Sequence, residues 1–252
     1  FEHTPLMHGP LQFHLIALSY FIFGDSDFTA RIPAVLTSIA FVGMLWVFRD
    51  WIGRTGALIA TALAIISPFL LYYARYTRED PYALLAVVLT VWAIFRYMGS
   101  REKKWLYLLT FGTFLHYSTK ETSFMYHSIF ILFMGVWFLV EFLHALRHQP
   151  EKAASITGWL ELVRGLPSFA VLIILGTFML PQTSALPVKL FGGNPLDYSS
   201  AGMIRTAAAL IPLVLIAAAV GLWWNWRIWL VCAAIFWVPY VVLYTTIFTN
   251  GG

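Results

Sequence analysis

The chain has 252 residues, of which 60% are hydrophobic, 17% aromatic and only 11% charged, and its mean hydropathy is +0.76. That balance excludes a soluble globular domain and describes a polytopic membrane protein. A net charge of +4 would suggest a nucleic-acid partner in a soluble chain, but here basic loops set orientation in the bilayer, so no nucleic acid is expected. The single Cys232 lies in an apolar run, which leaves no disulfide framework and no thiolate metal site, and it is expected in the core.

The chain opens at Phe1, with no initiator Met and no basic leader, and ends at Asn250-Gly251-Gly252 beyond an apolar run, so we read it as a fragment of a longer protein. The echoes His3-Thr4-Pro5-Leu6 and His8-Gly9-Pro10-Leu11 lead into an apolar segment at 11–23, with Pro10 suited to a first helical turn. About 13 residues fall short of the roughly 20 that cross a bilayer, so this helix is expected to lie along the membrane surface. Eight apolar runs near spanning length follow, at 31–48, 55–73, 82–98, 105–119, 122–143, 166–180, 206–223 and 228–248. The expectation is therefore an all-α protein, one transmembrane domain over 1–252, with about eight transmembrane helices and an N-terminal surface helix.

The loops between the runs alternate sides. With the leading helix on the surface, one side collects ten of the sixteen Lys and Arg against five acids, a net of +5, and the other six against seven, a net of −1. Short cytoplasmic loops carry the basic excess, so the first set is inside. Glu2, His3, His8, residues 74–83 and Lys120-Glu121 then share the external face.

Residues 74–83 hold the densest charge. Arg75, Arg78, Glu79 and Asp80 stand within six residues, between two apolar runs. Ionisable groups at a membrane boundary are costly unless they meet water, an opposite charge or a ligand, which makes this stretch the first candidate site. Arg suits phosphate because its planar fork stays charged and donates in pairs. The plainer readings are that Asp80-Pro81 caps the next helix and that the arginines pair with Glu79 and Asp80. Lys120 interrupts another apolar stretch. Ser118 and Glu121 have capping-box spacing, which accounts for Glu121 and leaves Lys120 as a cation for an anionic head group or as a side chain that snorkels to water. His3, His8 and His14 are spaced by five and six, which puts them on no common helical face. The sequence thus indicates no metal or other cofactor, although it leaves a divalent ion open. Asp25, Asp27 and Arg31 read as a helix cap with local ion pairing.

The ordered motifs His8-Gly9-Pro10-Leu11, Phe23-Gly24-Asp25-Ser26-Asp27-Phe28-Thr29-Ala30-Arg31-Ile32-Pro33, Ser67-Pro68, Tyr72-Tyr73-Ala74-Arg75, Arg78-Glu79-Asp80 and Thr119-Lys120-Glu121 resemble the GT-C class of membrane glycosyltransferases. The resemblance is to the branch of protein O-mannosyltransferases and lipid A aminoarabinose transferases, nearest to flippase-activity-associated proteins. It implies a polyprenyl phosphate sugar donor, a protein or lipid acceptor, contact with membrane lipids, and transfer at the extracytoplasmic face of the plasma membrane. It also implies that Asp80, with Glu79, supplies catalytic carboxylates, and that His8, Arg75, Arg78 and Lys120 bind the donor phosphate. The family's usual base would precede Phe1, so the chain alone is expected to be inactive. A transporter or lipid-linked sugar flippase that binds an anionic head group without catalysis is the alternative, disfavoured by the lack of paired internal halves.

Overall fold

The computed structural model describes residues 9–153 and 155–245, and its elements are all helices. They are α1 (Leu11–Phe23), α2 (Asp27–Val47), α3 (Arg49–Ile66), α4 (Pro68–Arg75), α5 (Asp80–Ser100), α6 (Lys103–Tyr117), α7 (Ser123–His148), α8 (Pro150–Ala153), α9 (Ile156–Gly165), α10 (Pro167–Gln182), α11 (Ala185–Leu190) and α12 (Ser200–Thr245). A helix is what an apolar run must form in hydrocarbon, where every backbone N–H and C=O needs a partner within the segment. Four helices, α2, α5, α7 and α12, are long and apolar enough to cross a membrane. The number is six if the pairs α3–α4 and α9–α10, bent by 60° and 80°, each count as one span. The chain is an all-α, multi-pass membrane protein.

The apolar runs map onto these helices with instructive departures. At 46 residues, α12 would measure about 69 Å, more than twice the hydrocarbon thickness. It joins the last two runs and breaks between them at Asn225, where φ is −160° and ψ 96°. The Asn225 side chain accepts a hydrogen bond from the Ile228 backbone N–H at 3.2 Å, so the residue that interrupts the helix also restarts it. Only one residue of the expected 225–227 loop is therefore non-helical. The expected 49–54 loop begins as helix and is broken at Gly53, where φ of 74° places the backbone in the left-handed region. The polar stretch 147–164 holds α8 and most of α9.

Outward faces are apolar. On α7, Ile129, Leu132, Phe133, Val136, Leu139 and Val140 are all exposed at three- and four-residue spacing, a stripe no soluble helix would leave open and one that suits lipid.

Contacts divide the described residues into two compact units, 9–123 with 234–245, and 124–233. In the first, α5 packs most extensively on α6, and α2 packs on α1, α3 and α5. Ala86, Ala93, Leu106 and Leu109 are fully or almost fully buried in its core. Tyr117 meets Phe236 edge-on at 6.1 Å, and the Tyr244 hydroxyl donates to the Tyr117 carbonyl at 3.1 Å. Near the C-terminal end of α5, Arg96 pairs with Asp50 at 2.6 Å and lies over the rings of Trp51 and Trp105. From there to Asp80 is about 24 Å of helix, so α5 holds two charged clusters separated by most of the roughly 30 Å hydrocarbon thickness.

In the second unit, Val171, Ile174, Leu175, Phe178 and Cys232 are buried, the cysteine as expected. Trp229 stacks on Phe178 and donates to the Thr177 hydroxyl at 3.1 Å. Glu141, a carboxylate within α7, accepts hydrogen bonds from the Ser168 hydroxyl at 2.5 Å, the Ser168 backbone at 3.3 Å and the Trp137 indole at 3.1 Å. Three donors are what an intramembrane carboxylate needs.

Candidate functional site

The candidate site belongs wholly to the first unit and is built from three chain segments: the α4–α5 link, the α6–α7 turn and the backbone leading into α1. Ser67 caps α4 by accepting from the Leu70 N–H, and α4 ends on Arg75. Tyr76 to Glu79 then reverse direction, with the Arg78 N–H donating to the Tyr76 carbonyl at 2.8 Å.

Asp80 is not the helix cap that its place before Pro81 predicts. It is the first helical residue, and Glu79 occupies the cap position without a side-chain capping bond. The Asp80 carboxylate instead reaches across to the α6–α7 turn, where Oδ1 accepts from Lys120 Nζ at 2.6 Å. Arg78 Nε stands 3.6 Å from Oδ2, so the predicted pairing of the arginines holds for Arg78 and not for Arg75. Asp80 and Lys120 are only about a fifth exposed, at 21% and 19%. A charge-assisted bond of this kind contributes about 1.5–3 kcal/mol. Oδ2 is buried and, among the described residues, has no hydrogen bond, which leaves one face of the carboxylate with unused acceptor capacity.

Lys120 is aimed by local structure. Its N–H donates to the His116 carbonyl at 3.2 Å, and its carbonyl accepts from the Ser123 N–H at 3.1 Å. Ser118 does not form the expected capping box. It ends α6, and its hydroxyl donates back to the Phe114 and Leu115 carbonyls at 2.8 and 3.1 Å, the local back-bonding that competes with a capping role for serine. The turn is also pinned from outside: the Gly9 N–H donates to the Thr119 carbonyl at 3.1 Å and the Leu11 N–H to the Ser118 carbonyl at 3.0 Å. Gly9 makes that approach possible, since a Cβ there would fall 2.2 Å from the Ser118 carbonyl oxygen. His8, like Glu2 and His3, lies outside the described residues. His14 donates from Nδ1 to the Pro10 carbonyl at 2.8 Å, a local bond at the start of α1.

Glu79 is 6% exposed and makes no ion pair with a described residue. Its carboxylate sits at the N-terminus of α5, where the helix dipole favours negative charge. Arg75 is set apart from the Asp80 pair and lines a cleft of about 400 Å³ together with Arg31, Leu71, Tyr72, Tyr76 and Thr77. Arg31 was expected to join a cap with Asp25 and Asp27. The cap is made by Ser26 and Thr29 instead: Ser26 Oγ accepts from the Thr29 N–H, and Thr29 Oγ1 from the Ser26 N–H, both at 3.1 Å. Among the described residues no three His, Cys, Asp or Glu side chains come together, and we propose no metal site.

The geometry thus joins residues that are 40 positions apart in the chain, Asp80 and Lys120, at one end of α5, with a cationic cleft on the same α4–α5 segment. A family profile described as dolichyl-phosphate-mannose-protein mannosyltransferase matches residues 7–160. This stretch, 154 of the 252 residues, carries Gly9, Arg31, Arg75, Arg78, Glu79, Asp80 and Lys120. No curated protein and no solved structure matches the chain. The match covers more than half of the sequence and runs through every segment of the site, and the chain belongs to the dolichyl-phosphate-mannose-protein mannosyltransferase family.

Proposed function

We propose that this protein transfers a sugar, mannose on the family's evidence, from a polyprenyl phosphate to a hydroxyl of a protein or lipid acceptor at the extracytoplasmic face, with Asp80 as the carboxylate that engages the acceptor. One observation carries the reading: Lys120 holds Asp80 by Oδ1, while Oδ2 is buried and free of hydrogen bonds among the described residues. A carboxylate so held can accept a hydrogen bond from an incoming hydroxyl without first losing its own support. The hydroxyl oxygen bonds to the anomeric carbon as the bond from that carbon to the phosphate oxygen breaks. The hydroxyl proton leaves to a carboxylate, and the polyprenyl phosphate departs with the bonding pair. Charge grows on the leaving phosphate, for which Arg75 is the cation that pairs with no described acid, while Arg78 and Lys120 add positive charge from the Asp80 pair and His8 is assigned a donor. Glu79, at 6% exposure the more enclosed of the two acidic residues, supports the site as a charge at the start of α5. The order of the motifs supports a likeness to the flippase-activity-associated proteins.

The reading is tested with membranes expressing the complete gene, supplied with polyprenyl phosphate mannose carrying labelled sugar. Transfer of label to protein or lipid above control membranes is expected. Label that crosses the bilayer faster than in controls, with none transferred, would overturn the enzyme reading in favour of a flippase.

The external face rests on loop charge, and labelling checks it. Arg101 precedes α6 and Lys120 follows it. Single cysteines at these positions, Arg101→Cys and Lys120→Cys, are expected to react with impermeant maleimide from opposite sides, Lys120→Cys from outside. Labelling of both from one side would remove the topology.

A further inference from the structure

We propose that Arg31 and Arg75 form a phosphate-binding subsite in the cleft between α2 and α4, separate from the Asp80–Lys120 pair. The proposal rests on the function given above and adds to it a residue, Arg31, that no motif reading assigns to the site.

Charge separates the two places. Around Asp80, the cations Arg78 and Lys120 already face a carboxylate. In the cleft, Arg31 and Arg75 line one volume of about 400 Å³, and neither pairs with a described acid. Both arginines are exposed, and an anion seated between two like charges that line one cleft offsets their mutual repulsion. A phosphate ester, with one or two negative charges shared over its two or three non-bridging oxygens, suits two Arg forks, each able to donate two N–H groups.

The rest of the lining fits a phosphoester rather than a free ion. Tyr72 and Tyr76 stack face to face, 5.6 Å apart and 12° from parallel, and Tyr72 meets Tyr73 edge-on at 5.2 Å, which gives the cleft an aromatic wall. Pro68 and Leu71 supply an apolar wall, and Thr77 a hydroxyl. Arginines beside apolar and aromatic surface match a phosphate that carries a hydrocarbon chain. Arg75 ends α4, where a cation also favours the helix dipole, but that local role explains neither Arg31 nor the shared cavity.

The ligand chemistry is a phosphate monoester or diester on a lipid, and its source is either a polyprenyl phosphate or a membrane phospholipid. The experiment uses the complete protein in nanodiscs of zwitterionic lipid, without acceptor, and measures binding of fluorescent polyprenyl phosphate in competition with phosphatidylglycerol. Arg31→Gln and Arg75→Gln are each expected to weaken polyprenyl phosphate binding roughly tenfold to a hundredfold, as loss of charge-assisted hydrogen bonds does. Arg31→Lys and Arg75→Lys keep the charge without the fork and are expected to fall between. Arg54→Gln, an equal loss of charge at the far end of α3, is expected to bind as wild type.

Competition by phosphatidylglycerol at equal concentration would assign the subsite to phospholipid head groups, and its absence to the polyprenyl phosphate. Binding unchanged in both glutamine variants, with each folded as wild type by thermal melting, would overturn the subsite. Because no transfer is measured, weakened binding in the variants of a protein that transfers no sugar would sustain the subsite while the enzyme reading fails. Unchanged binding in an active protein would do the reverse.

Discussion

Asp80→Asn is expected to lower sugar transfer by about two to four orders of magnitude, the range over which a positioned carboxylate acts in proton transfer, while membrane insertion and expression stay at wild-type levels. Asn keeps the shape and one acceptor oxygen, so the 2.6 Å contact with Lys120 survives as an ordinary hydrogen bond. What is lost is the negative charge that the Lys120 ammonium and the Arg78 guanidinium face. Leaving a mostly buried Lys120 without its counter-charge costs about 1–3 kcal/mol, which a melt of the variant would register as a modest shift. The two readouts decide between roles. If transfer collapses while the melt moves little, the carboxylate acts in the chemistry. If transfer and stability fall together and Asp80→Glu restores both, it is a structural strut. Wild-type transfer in Asp80→Asn would remove Asp80 from the site.

The parts of the site that were legible in the sequence are those where a charge had no local use. Lys120 stood in an apolar stretch with no cap to make, and Asp80 stood at a membrane boundary, so both could be named before any fold was known. Their partnership could not, because a pair 40 residues apart depends on how α5 packs on α6, and periodicity says nothing of that. Arg31 is hidden for a related reason: Asp25 and Asp27 nearby offer a local explanation, and only the fold shows the cap made by Ser26 and Thr29 and Arg31 lining one cleft with Arg75. Glu79 and Asp80 are adjacent and look alike, yet helix geometry buries one and directs the other to Lys120. The helices themselves were legible as apolar runs. Their ends were not, as at Asn225, where a polar tripeptide reads as a loop but a single side chain can both break and cap a helix. Gly9 was visible only as part of the His-Gly-Pro echo, with no signal that its missing Cβ mattered.

Gly9→Ala is expected to destabilise the first unit by about 1–3 kcal/mol, the usual cost of forcing a methyl group into filled space, and to reduce transfer with it. The added carbon would sit 2.2 and 2.4 Å from the Ser118 carbonyl oxygen and carbon and 2.7 Å from the Thr119 nitrogen. All three are backbone atoms, so no side chain can swing aside. The segment must move, and the bonds from Gly9 to Thr119 and from Leu11 to Ser118 lengthen or break. Lys120 follows directly on that turn, so its ammonium is expected to leave Asp80. Acetylation of Lys120 by a water-soluble reagent, read by mass spectrometry, should therefore be faster in Gly9→Ala than in wild type. Gly43→Ala provides the contrast. It is a helical glycine of α2 with nothing within 4 Å of the added carbon, where alanine should be neutral or stabilising by up to about 1 kcal/mol. If Gly9→Ala melts like Gly43→Ala and Lys120 reacts no faster, the backbone contact does not position the lysine, and the α6–α7 turn holds its shape by its own hydrogen bonds.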